Sequence, residues 1–409
     1  MLHDGRLSLS QDDPQDAENA KAMRHNPRSF PEDFAMPAHT LLVVAGAAIS
    51  LALTSPLAAQ TSIALPPIKT VTCDEHGAFR VNDKPFFPIA LYDAPHDDAT
   101  LAELRAFGFN VLSCDAKAST TLRAKGFYGA THADTKMDDL SGVFVGVGMD
   151  SPALNLKQDL LRQTREYNAK TQADIPGRPV MNAIGYWEDE PQGVITGRLP
   201  SKAVYEDLVA AIDVSAPYLY PVPYQPVSSV GDAVARARNA TSGRKALLPV
   251  LQLFTWDPKE RYPTPAELRC MVFLALVEGA HGIGYYSYRT VITHPGSTIA
   301  ATQPELWKSV KPLNHDLAEI APQLLAGKPS TELALGEGAA DVKLRVVRSD
   351  SGLLAVVVNT SSNAKSAKLV SKSEPVDRLQ RRSGGQLEFR DGLATLPLEP
   401  FGVEILRQP

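Results

Sequence analysis

From Phe86 onward the chain alternates short β-rich apolar runs with stretches of helical spacing, and it does so eight times over. Parallel strands need a crossover of a dozen or more residues between them, so this alternation is the written form of repeated βα units. The first predicted strand is FFPIALYD (86–93), and the second, FNVLSCDA, ends at Cys114 and Asp115. GFYGATHA, ending near His132, is the third, and GVFVGVGMD, ending at Asp150, is the fourth. PVMNAIGYW, DVSAPYLYPV, ALLPVLQLF and GIGYYSY supply strands five to eight.

The intervening helices carry their own signals. Leu101, Leu104 and Phe107 recur at helical spacing, and a longer helix is expected from Pro152 to about Ala173. Thr264, Pro265 and Glu267 spell a capping box, and Leu268, Met271, Val272 and Ala275 then follow at i, i+3, i+4 and i+7. A final helix is expected from Gln303 to Leu325. Eight such pairs within 85–327 match the roughly 250 residues of a (β/α)8 TIM barrel. A doubly wound open sheet is the alternative, but the chain has no GxGxxG turn.

The flanks read differently. Over 328–409 the period changes to two, with VKLRVVRS, LLAVVVNT, SAKLV, QLEFRDG and LATLPLEPFGVEILR joined by Gly, Ser and Asp turns, which predicts a small antiparallel β-sandwich. Residues 60–84 read as a β-hairpin that either caps the barrel's bottom or joins that sandwich. Residues 36–59 hold an apolar run from Leu41 to Leu53 and then Ala58 and Ala59, the shape of a secretory signal. A retained membrane anchor is the rival reading of that run. The polar first 35 residues carry no apolar period and are expected to be disordered or a mis-assigned extension. A secreted or periplasmic protein, with no stable membrane insertion after cleavage, follows from the signal.

Composition narrows the function. Against 46 acidic residues stand 41 basic ones in no long run, so nucleic acid is not an expected partner. Three scattered cysteines give neither a disulfide framework nor a C-x-x-C, and no H-E-x-x-H occurs, so neither metal nor cofactor is expected.

In such a barrel the strands' C-terminal ends and the loops beyond them form the open concave face. The residues read off there are Tyr92, Asp93, Asp115, His132, Asp150, Trp187, Glu188, Asp189, Glu190, Tyr218, Tyr220, Gln252, Trp256, Asp257, Tyr286, Tyr288 and Arg289. Rings interspersed with carboxylates and amides suit a sugar, whose C–H faces stack while its hydroxyls need many partners. The expected carbohydrate contacts are Asp93, Asp115, His132, Trp187, Tyr218, Tyr220, Gln252, Trp256, Tyr286 and Tyr288. Because Tyr285 and Tyr286 are adjacent, one of the two must point into the helix layer.

The segments VNDKPFFPIALYDAP, GFNVL, YLYPV and PVLQLFTW, the stretch PTPAELRCMVFLALVEGAHGIGYYSY and the ending PFGVEIL together resemble bacterial glycoside hydrolase barrels of the large retaining clan, over about residues 70–409. The resemblance implies a Glu acid/base after strand four and a Glu nucleophile at the end of strand seven. Here Asp189, Glu190 and Pro191 spell D-E-P after strand five, Ser151 stands between Asp150 and Pro152, and Gln252 occupies the strand-seven position. If strand three is miscounted, D-E-P belongs to strand four. The expected catalytic groups are therefore Glu190 as proton donor and Asp150 as base, with Glu188 the substitute for either. A binding barrel that has lost its catalytic carboxylates is the alternative, and a sugar-acid lyase or isomerase, with only His132 to offer as a base, is another.

Overall fold

The computed structural model describes residues 63–132, 136–148, 160–185, 202–290, 294, 296–372 and 376–408. Its central sheet is built from the parallel strands Ile89–Leu91, Val111–Cys114, Tyr128–His132, Val143–Val147, Val180–Ile184, Val214–Pro217, a seventh in two pieces (Ala246–Leu247 and Val250–Gln252), and Ile283–Tyr286. Each pairs with the next, and the eighth returns to the first with Ile283 opposite Ile89. The break in strand seven lies at the closure. Its first piece pairs with strand six and its second with strand eight, and Tyr218 bridges Val250 across the gap. Pro249 has no N–H for a ladder, but its carbonyl accepts from Gly284 N at 2.9 Å. The cylinder is closed, so the fold is the expected (β/α)8 barrel and the open sheet is set aside.

Alternation along the strands sorts side chains between two cores. Ala90, Val111, Ala130, Val145, Met181, Val214, Ala216 and Val250 fill the interior, while Ile89, Leu91, Leu112, Leu251 and Ile283 face the helices. The helices are Asp98–Ala106, Ala118–Ala124, Leu160–Asp174, Lys202–Ala210, Ser229–Ala240, Pro265–Val277, Ile299–Thr302 and Pro304–Ala326. Ala118–Ala124 was not expected from the sequence, and among the described residues no helix joins strands three and four. Thr264 and Glu267 form the capping box reciprocally, as their spacing predicts.

At the barrel's lower end, strands Val71–Cys73, Phe79–Val81 and Lys84–Pro85 form a small antiparallel sheet. Of the two readings of this segment, the contacts favour the cap: Phe79 is fully buried, edge-on to Phe144 at 5.1 Å, and Phe86 adds a contact to the same ring. The turn presses so close to the chain before strand seven that a Cβ on Gly77 would lie 2.5 Å from the Lys245 carbonyl. Arg178, just before strand five, ties the approach to this cap by donating to the carbonyls of Ile68, Lys69, Leu140, Val143 and Gly177.

Beyond the barrel lie two antiparallel sheets. One runs in the order Lys328–Pro329, Val342–Ser349, Gly352–Asn359, Val403–Arg407, Arg378–Arg381, Gln386–Glu388, and the other is Leu333–Leu335, Lys365–Ser371, Leu393–Leu398. The run LLAVVV is apolar without alternation because its strand is buried on both faces. Leu353, Ala355 and Val357 fill the space between the sheets, whereas Leu354, Val356 and Val358 pack with the barrel's helices. Helix Pro265–Val277 is correspondingly apolar almost all round, since it is covered on one side by strands and on the other by this sheet. Each large aliphatic chain so enclosed contributes about 1.5–3 kcal/mol.

Candidate functional site

The mouth of the barrel carries a continuous wall of rings from the ends of strands one, six, seven and eight. Tyr218 and Tyr220 lie 5.4 Å apart, Tyr220 meets Phe254 edge-on at 4.9 Å, and Phe254 meets Trp256 edge-on at 4.8 Å. Tyr286 stacks with Tyr220 at 6.1 Å and 22°, is edge-on to Phe254 at 5.5 Å, and meets Tyr92 edge-on at 6.0 Å. Tyr218 and Phe254 are buried and form the backing, whereas Tyr92, Tyr220, Trp256 and Tyr286 keep part of their surface open. Of the adjacent pair, Tyr285 is the one turned outward, fully buried with its hydroxyl donating to Asn314 Oδ1 at 2.8 Å. That choice aims Tyr286 into the mouth.

Gln252, at the strand-seven position where the clan resemblance implies a carboxylate nucleophile, has no exposed surface. Its Oε1 accepts from Val222 N at 3.0 Å while its Nε2 donates to Val222 O at 2.7 Å and to Phe254 O at 3.1 Å. The side chain thus pairs with the backbone N–H and C=O of one residue as a neighbouring strand would, donor to acceptor and acceptor to donor. It fixes the loop after strand six against the end of strand seven, and thereby sets Tyr220 beside Phe254. The amide offers both functions without a change of charge state, whereas an ionised carboxylate can accept but not donate. Gln252 therefore supports the ring wall from behind rather than presenting a group to the open mouth.

A polar corner adjoins the wall where strands eight, one, two and three end. Asp93 is half-buried and holds φ 58, a left-handed conformation that Asp tolerates better than most residues, with its N–H donating to Ser113 Oγ at 2.9 Å. Burial pushes its carboxyl above the ordinary carboxylate value, against the opposing pull of Arg289, a Ser287 hydrogen bond and His132. Ser287 is buried and its hydroxyl also lies 2.7 Å from the Arg289 carbonyl. His132 is exposed at the tip of strand three.

Two of the expected contacts have partners of their own. Asp115 is exposed at the end of strand two, and its Oδ1 accepts from Ala118 N at 2.8 Å. Tyr288 is buried edge-on against Trp307 at 5.2 Å, in the helix layer with Tyr285 rather than in the wall with Tyr286. Asp150, Trp187, Glu188 and Glu190 lie outside the described residues. Among the described residues no group of three or more His, Cys, Asp or Glu is placed to hold a metal ion, and no helix is long and apolar enough to cross a membrane.

Phe254, Ser113 and Ser287 were not among the sequence candidates. Phe254 lies beyond the last residue of strand seven, Gln252, where strand alternation gives no direction for its ring. The two serines carried no signal, since their part is to hold Asp93.

No family model matches the chain, and no curated protein matches its sequence. Solved structures do share its architecture. A family 5 glycoside hydrolase from Bacteroides vulgatus superposes with a TM-score of 0.54 at 11% identity, over 84% of this chain and 95% of that one. A GH30 endoxylanase from Clostridium papyrosolvens gives 0.45 at 13% identity, over 84% and 98%. An alpha-amylase from Anoxybacillus gives 0.47 at 11%, over 76% and 89%. The family 5 superposition shows that the chain shares that barrel fold, at an identity that speaks to fold alone.

Proposed function

We propose that this chain acts on carbohydrate, holding a glycan against the rings of the barrel mouth and hydrolysing it by carboxylate general acid/base catalysis. The observation that carries the reading is the ring wall itself, with Tyr92, Tyr220, Trp256 and Tyr286 open on its front and the Asp93 corner at one end. Stacked rings give a sugar an apolar face to lie on, and the polar corner supplies partners for its hydroxyls.

Because Gln252 can neither ionise nor attack, the reading invokes no covalent intermediate at strand seven. Glu190 passes its proton to the glycosidic oxygen as the C1–O bond breaks. Asp150 takes a proton from the water whose oxygen bonds to C1 from the opposite face, and Glu188 is the reserve for either role. This is the inverting arrangement, which wants the two carboxyls about 6.5–9.5 Å apart. Glu190→Gln and Asp150→Asn should each lower turnover of a cleaved oligosaccharide by roughly 10²-fold or more, with binding retained. Wild-type rates from both variants overturn the assignment. Under this proposal the protein is exported, with 36–59 as the removed signal, and N-terminal sequencing of secreted material tests that step.

A second reading, a barrel that binds glycan without cutting it, is favoured by the complete engagement of Gln252. Calorimetric binding of an oligosaccharide with no new reducing ends after prolonged incubation selects it over hydrolysis.

A further inference from the structure

The mouth is not uniform: its rings belong to strands six, seven, eight and one, and its charged groups cluster where strands eight, one, two and three end. The seam between the halves is the dipeptide Tyr92–Asp93, whose first residue closes the ring wall and whose second opens the polar corner. We infer that this corner is a chain-end subsite, in which the Asp93 carboxylate, flanked by Arg289 and His132, accepts free hydroxyls of a terminal sugar lying against Tyr92 and Tyr286. This inference rests on the glycan reading above and adds to it which part of the glycan is recognised.

The backbone at the seam is held on three sides. Tyr92 N donates to Tyr285 O at 3.1 Å, Tyr288 N donates to Tyr92 O at 3.0 Å, and Asp93 N donates to Ser113 Oγ at 2.9 Å. Left-handed backbone at a non-glycine residue is retained where its surroundings over-determine it, and such positions cluster at sites. The Asp93 carboxyl so held lies within reach of Ser287, Arg289 and His132, whereas Asp115 gives one of its oxygens to the backbone N–H of Ala118.

The charge pattern selects the ligand class. An ionised carboxylate is acceptor-only, so it rewards hydroxyls that still carry their proton, and a hydroxyl already in a glycosidic link offers none. The same carboxylate repels the carboxylate of an acidic sugar and already holds Arg289 as its counter-charge. A neutral terminal sugar with free adjacent hydroxyls satisfies the corner; an internal unit substituted on those hydroxyls leaves Asp93 partly buried and short of donors, which is costly.

The test is a cycle. Cello-, xylo-, manno-, malto- and galacto-trioses, each also prepared with its non-reducing-end hydroxyls O-methylated, and a uronate-terminated triose are titrated calorimetrically into the full chain, Asp93→Asn and Tyr220→Ala. Asn suits the left-handed backbone, so the exchange spares the fold. For whichever triose binds best, both the end cap on wild type and Asp93→Asn should weaken binding at least tenfold. The cap should cost nothing further in Asp93→Asn but keep its full effect in Tyr220→Ala. Cap and Asp93→Asn losses that multiply, an Asp93→Asn affinity equal to wild type, or preference for the uronate end overturns the chain-end subsite while leaving glycan binding standing. Failure of every triose to bind wild type instead removes the glycan reading, and this inference with it.

Discussion

Replacing Gln252 by Glu restores on paper the carboxylate that the clan resemblance implies at strand seven, and the structure predicts that it will damage the fold without creating a nucleophile. The amide donates from Nε2 to two carbonyls, Val222 O at 2.7 Å and Phe254 O at 3.1 Å, in a site with no exposed surface. An ionised Glu would face both oxygens with like charge. Leaving two buried acceptors unpaired costs about 1–3 kcal/mol each, and a protonated Glu recovers one of them at the expense of a raised pKa. The sum is about 2–6 kcal/mol near neutral pH, a large part of the 5–15 kcal/mol typical of a folded domain. The sign with pH follows from the raised folded value. Below the unfolded carboxyl pKa of about 4.3 both states are protonated and the deficit is smallest. It grows by about 1.4 kcal/mol per pH unit until the folded pKa is reached. Urea midpoints of variant and wild type, compared at pH 5 and pH 8 by circular dichroism, measure it. A variant as stable as wild type at pH 8, or one that gains glycosidase activity, refutes the view of Gln252 as a support for the ring wall.

Two further outcomes concern stability alone. Burial, with Arg345 nearby, pulls His281 from 6.5 down to about 4, and Leu247 N donates to its Nδ1 at 3.2 Å, a bond that protonation destroys. The unfolded chain takes up that proton first as pH falls, so the contribution is intact above the unfolded value and is lost between about 6.5 and 4, worth about 2–3 kcal/mol once partial exposure is allowed for. His281→Asn, which keeps an acceptor for Leu247 N, should flatten the fall in urea midpoint between pH 7 and pH 4.5; an unchanged slope refutes it. Tyr285→Phe removes the hydroxyl that donates to buried Asn314. It should cost about 1–2 kcal/mol in urea unfolding and leave glycan affinity within about twofold, and a loss of binding without loss of stability would place Tyr285 in the mouth after all.

The barrel was legible because periodicity and turn chemistry agree with each other along most of it. The Thr264 capping box is present as spelled, and the apolar runs around Ala90, Val145 and Val250 are strands. What was not legible was set by contacts distant in sequence. Ala118–Ala124 is short and weakly patterned, with Ser119 and Leu122 its buried residues. Tyr286 and Tyr288 share a parity and were placed together, yet Tyr288 follows the end of strand eight, where strict alternation no longer governs direction, and it turns to Trp307. The adjacency of Tyr285 and Tyr286 was informative because both lie within that strand.

The same distinction explains Gln252. Position along a strand says that a residue reaches the mouth end of the cylinder, but not whether its side chain meets solvent or the next loop. Val222 lies 30 residues earlier in the chain, and only the closure of strand six on strand seven brings its peptide opposite the Gln252 amide. Once the amide is engaged there, strand seven contributes Phe254 and Trp256 to the mouth and no ionisable group from its strand residues. Among the carboxyls of the described strand ends, Asp115 is exposed and accepts from Ala118 N, while Asp93 stays partly buried beside Arg289. Closure of the barrel thus does more than collect the residues of the mouth: it decides which of them remain available to a ligand.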